Sequence, residues 1–179
     1  HPRVRRQRQM CIRDRYMAIS FIRIDDRIIH GQTVTRWANE YPCTGLIGVN
    51  DAAAGNKLLV SAFKGASSKK TFVWNKEHFK KNADKVLTSK DQYFLITKNS
   101  VDMAELLVDF KFATPIKKVI VGPCPDRPGA VKLGNNQSIT QDEAEAFERM
   151  YQAGFEIEFA LVKEASIGTW EKFRGKFGY

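Results

Sequence analysis

Cysteine is scarce in this chain: there are three, Cys11, Cys43 and Cys124, odd in number and far apart. With no C-x-x-C pair to hold zinc or run redox chemistry, both a disulfide framework and a zinc-ribbon design are excluded, and a reduced cytosolic setting fits best. Nothing beside Cys43 or Cys124 marks an activated thiol, so both read as small buried hydrophobes. No apolar run approaches the roughly 20 residues that cross a bilayer. Also missing are a G-x-G-x-x-G after the first apolar run, a P-loop and a G-x-S-x-G elbow, which argues against dinucleotide, P-loop nucleotide and serine-hydrolase chemistry. No ligand cluster for a metal is visible, and no cofactor is implied.

The formal charge of +9 raises a nucleic-acid reading, but the charge is unevenly placed. The stretch "HPRVRRQRQMCIRDRY" carries six arginines against Asp14 and so supplies +5, leaving +4 from Met17 onward. That stretch has no helical or strand period and no apolar face, and it lacks the apolar centre of a secretion signal. Its wording resembles translated adapter sequence, so residues 1–16 are read as a non-native or disordered basic tail, and 17–179 as a single domain. With the tail set aside, a basic arm on phosphate backbones loses most of its support, and no nucleic-acid partner is expected.

From Met17 short apolar runs alternate with amphipathic stretches. Strands are expected at Ala18 to Ile24, Gly45 to Asn50, Lys70 to Trp74, Gln92 to Thr97, Lys117 to Gly122 and Phe155 to Val162, the last of these closing the series. Helices are expected over Gln32 to Glu40, over "NKLLVSAFKG", over Lys76 to Leu87, and from an N-cap at Ser100 through Met103, Leu106, Leu107 and Phe110 on one face. A further helix starts at the "TQDE" capping box of Thr140 and Glu143 and stops at Gly154. Strand and helix alternating with short connections imply right-handed crossovers, and the continuous apolar runs imply strands buried on both faces. The fold class is therefore α/β: three layers, α/β/α, around a central, mainly parallel sheet. The Pro, Gly and Asn rich excursion from Pro123 to Gln137 reads as a surface loop or small hairpin. The ending from Lys163 carries a short helix around Trp170.

The stretch "IRIDDRIIHGQ" places His30 just beyond the carboxyl end of the first strand, where open α/β sheets keep their working crevice. Gly31 admits close approach of a ligand or a positive φ, and a helix opening near Gln32 offers its amides to an anion. Arg27 can give the same anion a bidentate contact. Asp25 or Asp26 can hold one ring nitrogen of His30 and so choose the nitrogen that attacks. Arg23 is either a second phosphate ligand or a partner for an acidic neighbour. Neutral imidazole is nucleophilic, and phosphoryl transfer asks chiefly for positioning and charge neutralisation, so these residues suit a histidine that takes up a phosphoryl group.

At these residues the chain resembles the IIB component of the mannose, fructose and sorbose family of the sugar phosphotransferase system. "RIDDRIIHGQ" followed by Trp37 is similar to that family's phosphorylation-site signature. "GVND" at Gly48 to Asp51, "IKKVIVGP", and "SITQDEAEAFERMYQAGFEIEFALV" extend the likeness from Ala18 to about Val162. The resemblance implies a protein-Nπ-phosphohistidine–sugar phosphotransferase. His30 would accept a phosphoryl group from the IIA component and pass it to a sugar entering through the membrane IIC and IID components. Arg27 would be the charge partner, Gly31 and Gln32 the backbone cradle, and Asp25, Asp26 and Arg23 supporting residues. It also implies a cytoplasmic domain peripherally associated with the permease, and leaves a homo-oligomer open. Gly122, Pro123 and Cys124 stand where many members have glycine, glycine and methionine, which bears on the rim of the site and the sugar.

Blander readings stand beside the sharp ones. A lone histidine at a strand end is often structural, and another α/β enzyme would use His30 as acid or base. Trp37 reads as core and His78 as a solvated residue. The lysines at Lys69, Lys70, Lys76, Lys80, Lys81 and Lys85 read mostly as a solvated face, or as a rim that steers an acidic partner. Asp126 and Arg127 either close over the site or solvate a turn.

Overall fold

The computed structural model describes residues 17–179, the side chains of Gln32 and Thr33 excepted. The basic tail expected at 1–16 lies outside the described residues. Strands β1 (Ile19–Ile24), β2 (Gly45–Val49), β3 (Lys70–Trp74), β4 (Tyr93–Thr97), β5 (Lys118–Val121), β8 (Glu156–Ala160) and β9 (Ser166–Thr169) form one seven-stranded sheet. Its order is β3-β2-β4-β1-β5-β8-β9, with only the β8/β9 pair antiparallel. The remaining strands, β6 (Val131–Gly134) and β7 (Gln137–Ile139), make a separate antiparallel hairpin inside the excursion.

Every residue of β1, β2 and β4 is buried, which is why these strands read as unbroken apolar runs. Alternate side chains point to opposite layers. Ile22, Ile24, Ile47 and Leu95 pack with α4 (Lys76–Leu87), α5 (Ser100–Ala104), α6 (Gln141–Gln152) and α7 (Trp170–Phe173). Phe21, Leu46, Phe94 and Ile96 pack with α1 (Gly31–Trp37), α2 (Asp51–Ala54) and, through Phe63, α3 (Lys57–Gly65). The result is the three-layer α/β/α arrangement expected.

Local chemistry sets the element ends. Asn50, Asn56, Asn75 and Asn99 cap α2 to α5, each side chain accepting from an amide of the first turn. The Thr140/Glu143 capping box opens α6, and Gly154 follows it at φ +89°. Asn99, not Ser100, is thus the cap of α5; the Ser100 hydroxyl instead donates to the Glu143 carbonyl at 3.1 Å. The same helix widens into a π-turn at Glu105–Asp109. The wider turn rotates Phe110 off the core face and leaves it exposed, while Phe112 is buried in its place. Lys76 is another correction: it is half-buried and bonded to Glu105 at 2.6 Å and to Asp102 at 3.3 Å, because it bridges α4 and α5 instead of facing solvent.

The chain does not end its sheet at β8. β9 returns antiparallel and delivers Trp170, fully buried against Phe147, Phe159 and Phe177. Glu148 on α6 accepts from the Trp170 indole at 2.8 Å and from Arg174 Nε at 3.0 Å. Although burial alone would raise the Glu148 carboxyl, the Arg174, Gln152 and Trp170 bonds overcome it and hold the pKa at about 2, against an ordinary 4.5. A depressed carboxylate stabilises the fold fully above its ordinary value and loses that contribution as pH falls toward the folded one. Trp170 fluorescence should therefore show the C-terminal segment loosening between about pH 4.5 and 2, and Glu148→Gln should loosen it at neutral pH by about 1.5–3 kcal/mol. An unchanged segment in that variant would show that the carboxylate does not hold it.

Candidate functional site

β1 connects leftward to β2 and β5 connects rightward to β8, so the sheet's switch point falls between the carboxyl ends of β1 and β5. Period two along β1 turns Phe21 and Arg23 toward the α1 layer. Arg23 is a cation with 1% of its surface exposed. Its guanidinium donates to the carbonyls of Ala160 and Leu161, each at 3.2 Å, and lies 5.2 Å from the centre of the Trp37 ring. Its Nε donates to Asp25 Oδ2 at 3.1 Å.

Asp25 is completely buried and, among the described residues, accepts from Arg23, His30 and the Arg27 amide. Oδ2 takes Arg23 Nε and His30 Nε2, the latter at 3.2 Å, and Oδ1 takes the Arg27 amide at 3.1 Å. Burial pushes its carboxyl up, but the His30 hydrogen bond and the Arg23 charge outweigh that and hold it below the ordinary range. An ionised Asp25 is an acceptor only, so Nε2 of His30 carries the hydrogen in this bond.

The loop between β1 and α1 is bent by Ile28, which sits at φ +58°. A β-branched residue in the left-handed region costs on the order of 1–3 kcal/mol and persists only when its surroundings over-determine it. The Ile28 amide closes on the Asp25 carbonyl at 2.9 Å, and Ile28 and Ile29 are buried in the α1-side core. Gly48 on β2 makes room for them: a Cβ there would lie 2.9 Å from Ile28 Cγ2 and 3.1 Å from Ile29 Cδ1. Positive φ in this loop belongs to Ile28, not Gly31, which opens α1 with a negative φ and open space around it. His30 is the N-cap residue of α1, in extended conformation. With seven residues, α1 contributes first-turn amides more than a macrodipole. Gln32 lies in that turn; its side chain is outside the described residues.

Arg23, Arg27, His30 and Asn136 supply the polar lining of a cavity of about 200 Å³, completed by Trp37, Pro123, Leu161 and Val162. Among the described residues no carboxylate lines it. Asp25 stands behind the imidazole, and Asp26 faces elsewhere. Asp26 lines a second cavity of about 270 Å³ with Lys98, Asn99 and Arg127, and its Oδ1 is buried without a partner among the described residues. Burial and the neighbouring Asp25 raise the Asp26 carboxyl pKa. Asp25 rather than Asp26 is therefore the carboxylate on the ring. Arg127 pairs with Glu143 and donates to the Pro125 carbonyl at 2.7 Å, so it braces the hairpin and does not close over His30. Cys124 is buried, its thiol pushed up to about 12 by desolvation, and half-buried Cys43 rises to about 11 for the same reason. His78 is exposed beside Trp74.

Gly122 at the exit of β5 is as necessary as the charged groups. A Cβ there would collide with Arg23 Nη2 and lie 2.8 Å from Cζ and 3.1 Å from Asp25 Oδ2. Sequence reasoning saw Gly122 only as part of a rim and missed Asn136, Leu161 and Val162, whose approach to His30 depends on β5, β8 and the hairpin lying side by side. Asn136 did carry one signal, an asparagine in a turn-rich run.

Fold and site together define a class: an α/β domain with a histidine and two arginines in the crevice at its switch point. Residues 19–178 match the family model described as PTS system sorbose subfamily IIB component, so the chain belongs to the IIB family of the sugar phosphotransferase system. It is 28% identical over 158 residues to the mannose-specific EIIAB component of Escherichia coli, covering 82% of this chain and 45% of that protein. The chain thus spans less than half the length of that relative. It is 28% identical over 163 residues to the fructose-specific EIIB component of Bacillus subtilis, covering 84% of this chain and 92% of that protein. Among solved structures, the IIBSor domain of the Klebsiella pneumoniae sorbose permease superposes with a TM-score of 0.78 at 22% identity, covering 88% of this chain and 96% of that one. The N-acetylgalactosamine-specific IIB component 1 of Escherichia coli gives 0.72 at 18% identity, covering 81% and 94%. At such identities the structural likeness speaks for the fold.

Gly122→Ala should cost about 1–3 kcal/mol through overpacking, read by urea denaturation, and should shift the His30 imidazole resonances because Arg23 and Asp25 are displaced together. Unchanged resonances would mean that the glycine does not govern the ring.

Proposed function

We propose that this domain is a phosphoryl carrier: His30 accepts a phosphoryl group from a IIA component and hands it to a sugar entering through membrane IIC and IID components, with the domain working on the cytoplasmic side beside that permease. One observation carries the reading: a small cavity whose described lining includes two arginines, an imidazole and an asparagine and, among the described residues, no carboxylate. That lining suits a dianionic group and disfavours a cationic or apolar ligand. Membership of the IIB family supports the same role in sugar uptake.

The chemistry follows from the ring's orientation. With Nε2–H donated to Asp25, Nδ1 holds the lone pair that attacks phosphorus. The Nδ1–P bond forms as the bond from phosphorus to the donor histidine breaks, and the Nε2 proton stays where it is. Asp25 stabilises the positive charge that the ring acquires, while Arg27, exposed at the cavity mouth, neutralises the equatorial oxygens. On transfer to the sugar the Nδ1–P bond breaks with its electron pair returning to Nδ1, the sugar hydroxyl oxygen bonds phosphorus, and the hydroxyl proton is released to solvent.

His30→Ala should abolish labelling from phosphoenolpyruvate when the general phosphotransferase proteins and a matching IIA are supplied; acid-labile phosphate on that variant would refute the assignment. Arg27→Ala should fold normally, since its side chain is exposed, yet transfer about a hundredfold more slowly. A wild-type rate would remove Arg27 from the mechanism.

A further inference from the structure

Three of the polar groups around the cavity come from β1 and the loop after it. The fourth, Asn136, is brought by a different part of the chain, the turn of the β6/β7 hairpin. The hairpin belongs to no strand of the main sheet, so its placement needs a cause. Gln137 provides one: it is fully buried and its Nε2 donates to the Val121 carbonyl at 2.9 Å and the Gly122 carbonyl at 3.3 Å, where β5 ends. On either side of Gln137, the Cys124 amide donates to the Asn136 carbonyl at 2.8 Å and the Ser138 amide to the Cys124 carbonyl at 2.9 Å. Arg127 adds a bond to the Ser138 carbonyl at 3.3 Å and pairs with Glu143 on α6. The turn is therefore fixed at the same strand exit that Gly122 keeps clear for Arg23.

Asn136 itself sits at φ +53°, a conformation that asparagine tolerates better than most residues. Asn136 is exposed and among the residues that line the cavity, so its backbone is clamped while its side chain can meet a ligand there.

We propose that Asn136 is a direct ligand of the phosphoryl group, its side-chain Nδ2–H donating to an equatorial oxygen of the group on His30. The inference rests on the carrier reading above and adds a residue to it. No proton moves in this contact: the amide keeps its hydrogen while the bond to phosphorus forms on one side and breaks on the other. Its neutrality has a purpose. Arg23 and Arg27 already supply the cationic field, and a third full charge would hold the resting phosphohistidine as tightly as the transition state, which slows a group that has to leave again. A neutral donor adds direction and little charge.

The test uses the full chain with phosphorylated IIA as donor. Asn136→Gly keeps the left-handed turn at no steric cost and deletes the amide, so the melting temperature should hold while His30 phosphorylation slows on the order of ten- to a hundredfold. Asn136→Asp keeps the size and turns a donor into a negative acceptor, so it should slow further than the glycine variant. If the glycine variant melts earlier, the aspartate variant decides: a wild-type rate there overturns the proposal, and a larger loss supports it. If His30→Ala is inactive and Arg27→Ala slow, yet Asn136→Gly transfers at the wild-type rate, this inference fails alone. If His30→Ala still accepts acid-labile phosphate, the carrier reading fails with it.

Discussion

A single buried carboxylate organises this molecule. Asp25 has no access to solvent, and its two oxygens receive the Arg23 guanidinium, the His30 ring and the Arg27 amide. A charge so placed is costly unless it is paired and hydrogen-bonded, and Oδ2 takes the Arg23 and His30 donors while Oδ1 takes the Arg27 amide. The consequence is that the orientation of the imidazole, the position of the guanidinium and the path of the loop are not independent. Disturbing any one leaves a charge in the interior without its partner, which is the costlier outcome for a buried pair.

The rest of the architecture secures that arrangement. Two glycines do so by what they lack: Gly122 leaves room for Arg23 and Asp25, and Gly48 for Ile28 and Ile29. Ile28 accepts an unfavourable backbone angle because two buried isoleucines and the Asp25 carbonyl fix the turn around it. The termini of β5 and β8 close the cavity with Pro123, Leu161 and Val162. Strand ends, which are rigid, thus carry the walls, while the exposed mouth is left to Arg27. Such a division fits the proposed carrier role, in which one small group is presented to successive partners without reorganising the site.

Much of the fold was legible in the sequence because buried parallel strands and capped amphipathic helices leave local marks. The runs that became β1, β2, β4 and β5, the Thr140/Glu143 box and Gly154 were all read from neighbours in sequence. Misreadings came where tertiary packing decided. The π-turn after Ala104 removed Phe110 from the core, Asn99 displaced Ser100 as a cap, and β9 folded back because Trp170 had a place against Phe147 and Phe159. That His30 and Arg27 follow β1 in one loop was legible too, being local, and the structure places both at one cavity. Which aspartate meets the ring was not, since Asp25 and Asp26 differ only in which side of the strand end they face. Asn136 was legible only as a turn residue, since its approach to the cavity is set by Gln137 reaching the end of β5.

The central claim is that Asp25 fixes the ring by its Nε2–H and so directs phosphorus to the other nitrogen. Proton and phosphorus correlation spectra of the phosphorylated domain, with histidine labelled in ¹⁵N, read the bonded nitrogen directly. The account predicts phosphorus coupled to Nδ1 and a hydrogen on Nε2. Phosphorus coupled to Nε2 would contradict it, because Asp25 would then occupy the very atom that has to attack.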